Sequence, residues 1–142
     1  MAKNDLRVFA NRMRVIGRTV ERRTALLVAN TVNNLAEDII PATPVLTGKA
    51  RINWVAQERT PPTEIIEREN APETAASEAI AKVASVVSKL QSGDVTVYLS
   101  NNAEYIGLLN DGSSKQAPEL FVQLAVVRAI QKMHGFKVTT ER

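Results

Sequence analysis

The sequence contains no cysteine, so neither a disulfide nor a thiolate-held metal can form. Its one histidine, His134, has no second imidazole with which to share a metal, and no partner set for general base work. Aromatic residues make only 4% of the chain. They do not interleave with basic residues, as a surface that stacks nucleobases would require. No apolar run approaches the ~20 residues of a membrane span. Met1 to Asp5 lacks the apolar core of a signal peptide, so the expectation is intracellular synthesis and no membrane partner. Gly48, Gly107 and Gly112 form no phosphate-cradling motif. Glu64, Glu67 and Glu69 lie among prolines and other charges, with no burial to separate their pKa values as an acid and base pair needs. The residues therefore point away from an enzyme, with no catalytic set, no cofactor and no metal.

What is present fits one globular domain, 1–142, with 58–73 as a loop or arm. Hydrophobic residues make 44% and charged residues 23% of 142, enough to bury a core. The net charge of +3 is unevenly placed. Residues 1–23 carry seven basic against two acidic side chains, net +5, and residues 58–78 carry six acidic against two basic, net −4. Such polarity suits charge-complementary self-association or a surface near nucleic acid; it also suits two merely solvated faces.

Asn4 or Asp5 can cap a helix that runs to about Ile40 without proline. Leu6, Phe9, Met13, Ile16, Val20 and Leu27 form an apolar stripe that shifts to Ala25, Val28, Val32, Leu35 and Ile39. The drift favours packing on a sheet over a coiled-coil seam. Gly17 marks a bend or a close packing point, and Pro41 and Pro44 end the helix. Residues 50–58 read as a strand, with Trp54 as a core anchor. Three prolines make 59–72 extended. Glu73 to Leu90 is a helix with Ala76, Ile80, Val83, Val87 and Leu90 on one face, and Gly93 terminates it.

Val95 to Leu99 alternates as a strand, Ser100-Asn101-Asn102 stops it, and Ala103 to Leu109 is a short helix. A polar turn, Asn110 to Ser114, leads to a helix from Pro118 to His134 that is apolar nearly all round and ends at Gly135. Phe136 to Arg142 is a strand or tail. The fold class is α+β: a long N-terminal helix and C-terminal helices packed on a small, mostly antiparallel sheet. Two strands alone are marginal, so the sheet needs strands from the arm, the tail or a second copy.

Two segments carry a family resemblance. Thr43-Pro44-Val45-Leu46-Thr47-Gly48-Lys49-Ala50-Arg51-Ile52-Asn53-Trp54 resembles the "TPVDTGRARANW" segment of bacteriophage tail-completion proteins, with Leu46 where the family has an acidic residue. Ser100 to Ile106, continued by Asn110 to Pro118, resembles their "SNNLPYAERLEYGWSKQAP" segment. These are neck, or head-tail joining, proteins of long-tailed phages, including the minor tail protein Z type. The resemblance implies a non-enzymatic virion protein, assembled in the host cytoplasm. It implies a homo-oligomeric ring, six copies, at the head-proximal end of the tail. Its partners would be the tail tube or tail terminator, the head connector, and DNA passing through the lumen without sequence readout. The residues it singles out are Gly48, Arg51 and Trp54 in the first segment, and Tyr105, Gly112, Lys115, Gln116 and Pro118 in the second. Core packing accounts for Trp54 and Tyr105, and turn geometry for the two glycines. Lys115 and Gln116 are the candidates for contacts between subunits. The alternative class is a small basic DNA-binding accessory protein that uses the N-terminal arginines.

Overall fold

Freedom from proline until residue 41 lets the chain begin with one helix of 41 residues, α1 (Ala2–Ala42). It is about 60 Å long at ~1.5 Å per residue. The computed structural model describes residues 2–68 and 72–134. Gly135 and the expected tail strand 136–142 lie outside them, as does Glu69 of the acidic segment.

Pro41 does not stop α1 but sits inside its last turn. Thr43 closes that turn, with both its backbone N–H (3.0 Å) and its hydroxyl (2.7 Å) bonded to the Ile39 carbonyl. The strand expected over 50–58 is half helix. Gly48 takes a left-handed φ of 89° and starts the single turn α2 (Lys49–Ile52). The Asn53 side-chain amide closes that turn on the Lys49 carbonyl at 2.8 Å. Only then does β1 (Trp54–Glu58) extend. It ends where Arg59 adopts a φ of 71°, an unfavourable left-handed conformation for a side chain of this size.

After the arm come α3 (Pro72–Val87), β2 (Val97–Asn101), α4 (Ile106–Asn110) and α5 (Phe121–Met133). β1 and β2 pair antiparallel, from Trp54 opposite Asn101 to Glu58 opposite Val97. Among the described residues the sheet has these two strands, and 59–68 adds none. The expected α+β class holds.

The sheet is made stable by the helices laid on it. Trp54 and Ala56 of β1 pack with Ile39 and Ile40 of α1, Ala79 and Val83 of α3, and Phe121 and Ala125 of α5. The buried face of α3 is Ala75, Ala79, Val83 and Val87, one residue displaced from the expected Ala76 and Ile80, which are half-buried. Alanines at the contact let helix axes approach closely, and the buried Ala36, Ala125 and Ala129 serve α1 and α5 alike. Gly93 matters for a different reason than ending α3, which already stops at Val87. A Cβ there would overlap Thr24 Cγ2 and lie 2.9 Å from the Thr24 carbonyl carbon, so glycine permits the α3–β2 turn to touch α1.

The first stripe of α1 packs on no sheet. Leu6 is 67% exposed, Phe9 63%, Met13 50% and Ile16 46%. Only from Ala25 onward does α1 enter the core, and a Cβ at Gly17 would meet nothing within 4 Å beyond its own helix. The N-terminal half is therefore a spur projecting from the domain. α5 likewise buries Phe121, Ala125 and Ala129 but leaves Leu124, Val127 and Ile130 exposed. Arg128 pins it to α1 through a 2.6 Å ion pair with Asp38.

Candidate interaction groove

The loop after α1 and the loop after α4 meet at the C-terminal end of α1. Between them lies a groove of about 410 Å³, with Pro44 to Lys49 on one wall and Tyr105, Leu109, Ser114 and Gln116 on the other. Both segments that carry the family resemblance converge here, 71 positions apart at their joint.

That joint is Gln116. Its Nε2 donates to the Val45 carbonyl and its Oε1 accepts from the Val45 N–H, both at 3.0 Å. The primary amide thus copies one residue of a strand ladder and locks the two loops in register. Gln116, expected to reach a neighbouring subunit, spends both ends of its amide inside its own chain. Lys115 beside it is exposed.

The asparagines act in the same way. Asn53 is buried; its Nδ2 donates to the Lys49 and Ile66 carbonyls and its Oδ1 accepts from the Ile66 N–H at 2.7 Å. Asn102 donates to the Pro62 and Glu64 carbonyls. Together they fasten the proline-rich arm to the domain without a strand. Asn101 donates to the Ala50 carbonyl at 2.7 Å while its Oδ1 accepts from the Ala103 N–H, stopping β2. Asn110 caps α5 from a distance. Its backbone carbonyl accepts from Leu120 N–H at 2.7 Å and its Oδ1 from Val122 N–H at 3.0 Å. α5 needs that help, because Leu120 at its N-cap has a φ of 61° and no side-chain cap of its own. Pro118, expected in the first helical turn, stands before that residue in an exposed connector.

Arg51 is a clamp on α1. Its guanidinium donates to the carbonyls of Pro41 (2.9 Å), Thr43 (3.0 Å) and Pro72 (3.3 Å). Its bonds to Pro41 and Thr43 also place a cation at the negative, C-terminal end of the α1 dipole. Trp54 is the core anchor expected, with its Nε1 donating to the buried Thr43 hydroxyl at 2.8 Å. Tyr105, expected as plain core, is half-buried and faces the groove. Gly48 and Gly112 have φ of 89° and 87°, the left-handed turns expected of them.

The groove is lined mostly by apolar atoms, and charges of both signs border it: Lys49 in its wall, Glu104 beside Tyr105 and Lys115 beside Gln116. Leu46 projects beside it at 93% exposure. Lys49 in its wall bonds Glu67 at 2.6 Å, and that bonded carboxylate, aided by the negative charges of Glu67 and Glu104, holds the ammonium above its ordinary value of 10.5. Asp111 and Glu119 are exposed nearby in sequence to the lining residues. Elsewhere Glu78 lies between Lys82 and Arg68, whose hydrogen bonds, Lys82 first, hold its carboxyl below the ordinary 4.5. Among the described residues no group of three acidic or histidine side chains is placed to hold a metal, and no helix is long and apolar enough to cross a membrane.

Sequence reasoning missed Asn53, Asn110 and Thr43 as organising residues. A signal existed: each is a short polar side chain beside an apolar element, the residue type that bonds backbone. Comparison with protein-family models, curated proteins and solved structures finds no match to this chain.

Proposed function

We propose that the chain is a structural virion protein of a long-tailed bacteriophage, one subunit of a six-membered ring at the head-proximal end of the tail. The ring completes the tail and joins it to the head connector, and DNA passes through it without sequence readout. The likeness of segments 43–54 and 100–118 to tail-completion and neck proteins supplies the family. One observation carries the assembly: the spur of α1 presents Leu6, Phe9, Met13 and Ile16 to solvent, each at least 46% exposed. A contiguous apolar face of this kind marks a surface that another protein covers. The exposed outer face of α5, Leu124, Val127 and Ile130, adds a second such surface. A ring closes when the rotation between successive copies closes. No catalytic step is assigned.

Electron microscopy of particles made without this gene product tests the reading. Tails of abnormal length indicate a terminator, and normal tails left detached from heads indicate joining. Intact infectious virions overturn both. The second class, a DNA-binding accessory protein, is favoured by Arg7, Arg14 and Arg18, which are exposed on the side of α1 away from the stripe. Tight, salt-sensitive retention of DNA by the monomer in a gel-shift assay would select it.

A further inference from the structure

The spacing of the α1 stripe says what kind of surface fits it. Leu6, Phe9, Met13, Ile16, Val20 and Leu27 fall at alternating steps of three and four, with Arg23 filling the one missing step. That is the repeat of a seam between two helices wound on each other, narrower than the face a helix turns to a sheet. The shift of the stripe to Ala25, Val28 and Val32 begins only where α1 enters its own core. There the same row already takes a helix. Lys132 and Met133 of α5 share a groove with Leu27, Thr31 and Asn34, and Arg128 reaches Asp38. From Leu6 to Val20 the row stands exposed among the described residues.

The border of the row also suits a helix. Ala10 and Gly17 run along one side of it, and small residues let helix axes approach closely. Glycine in mid-helix costs about 1 kcal/mol against alanine, yet a Cβ at Gly17 would meet nothing within 4 Å beyond its own helix. The other apolar surfaces of the chain do not share the repeat. Leu124, Val127 and Ile130 on α5 stand at steps of three, which cross the helix instead of following one seam. The groove at 43–49 and 105–116 is bounded by loops.

We propose that two copies pair through the N-terminal halves of their α1 helices, as an antiparallel two-stranded coiled coil. Met13 lies beside the partner's Ile16, and Phe9 beside the partner's Val20. The first residue of α1, Ala2, then comes level with the partner's Leu27, where the row passes beside α5, so the pair fills the open row and no more. A parallel pair would crowd both domains at one end and set Arg12 and Arg23 level with their own copies. In the antiparallel pair Arg12 is nearest the partner's Thr19. It stands about five residues, ~8 Å of rise, from the partner's Arg12, near the distance at which physiological salt screens. Arg7, Arg14, Arg18 and Arg22 lie about 120° or more round the helix from the seam, so most of the positive charge of 1–23 points away from it. Leu6, Phe9, Met13, Ile16 and Val20 are 38–67% exposed. They offer on the order of 500 Å² per copy, and two copies reach the ~1,000 Å² of a specific interface. The contact is isologous and closes at two. It goes beyond the ring reading and stands without it: it describes the free chain, whose stripe the pair keeps covered.

The absence of cysteine makes both the contact and its direction testable. Phe9→Cys and Val20→Cys are made as two proteins, checked for unchanged circular dichroism, and oxidised alone and as an equal mixture. Both positions are exposed, so each variant is expected to fold. The mixture should give the cross-linked dimer in at least fivefold excess over either protein alone. A disulfide needs Cα atoms within about 7 Å, and like positions in the antiparallel pair are about 11 residues, ~16 Å, apart along the axis. Dimers from each protein alone indicate a parallel pair, and no cross-link indicates no pair; either overturns the proposal. Sedimentation equilibrium of the unmodified chain should show a dimer at sub-millimolar concentration. Gly17→Gln should weaken that association at least tenfold while the helical signal of the monomer holds or rises; unchanged association overturns the close approach. A defined six-membered oligomer without the mixed cross-link removes the pair and leaves the ring. A monomer throughout removes the pair, and the ring is then decided by the particles made without this gene product.

Discussion

Replacing Thr43 by valine tests how the end of α1 is joined to the sheet. Thr43 is fully buried, and its hydroxyl does two things: it donates to the Ile39 carbonyl at 2.7 Å and accepts from Trp54 Nε1 at 2.8 Å. Valine keeps the shape and removes both bonds. The Ile39 carbonyl keeps the Thr43 backbone N–H at 3.0 Å, so that loss is small. The indole N–H of Trp54, itself only 5% exposed, is left without its acceptor. A buried donor stripped of its partner costs about 1–3 kcal/mol, and the apolar methyl gained offsets less than ~0.8 kcal/mol of it. The net expectation is about 2 kcal/mol. For a chain of this size that lowers Tm by roughly 4–8 °C. Trp54 is the sole tryptophan, so its fluorescence in urea reports the unfolding of this junction directly. The midpoint should fall with the slope unchanged. In a Trp54→Phe background, followed by circular dichroism, the same threonine change should cost under about 0.5 kcal/mol, because no indole remains to be orphaned. A cost below about 0.5 kcal/mol in the parent, or equal costs in the two backgrounds, would refute the reasoning.

Gly93→Ala should destabilise by about 1–3 kcal/mol in denaturant melts, since its Cβ meets the backbone of Thr24 and cannot be accommodated by a side-chain rotation. Gly17→Ala should instead raise the helical signal at 222 nm, since alanine favours a helix interior by about 1 kcal/mol and its Cβ would meet nothing within 4 Å beyond its own helix. Asn53→Ala leaves both backbone groups of Ile66 without partners and should release the arm, read as faster proteolysis within 59–68. Gln116→Ala should speed hydrogen exchange at the Val45 amide while leaving global stability within about 1 kcal/mol. Glu78 is held below its ordinary 4.5, so its stabilising contribution is full above that pH and is lost as pH falls through the lowered folded value. A carboxyl NMR titration should show Lys82→Ala moving it back upward.

Periodicity in the sequence was enough to place α1, α3 and α5, because each spans three or more turns and its apolar positions recur within reach of one another. It was not enough for 49–53, where Gly48 and the Asn53 side chain impose a turn of helix on residues whose alternation reads as strand. The α3 face is displaced by one residue for a different reason: Ala75 and Ala79, small enough for a helix contact, take the buried positions and the larger Ile80 is half-buried. The two motif segments were visible as special, but their partners were not. Nothing local pairs Gln116 with Val45 across 71 positions, or Asn110 with a helix that begins eleven residues later.

By itself, then, the order of residues determined the α+β class, the long first helix, the buried tryptophan and the left-handed glycines, since these follow from side-chain period, size and backbone freedom within a few residues. Only the tertiary structure decided that Leu6, Phe9, Met13 and Ile16 stay exposed among the described residues, and that two distant loops close into a groove. A hydrophobic stripe records that something must cover it; which surface does so depends on where the rest of the chain lies in three dimensions.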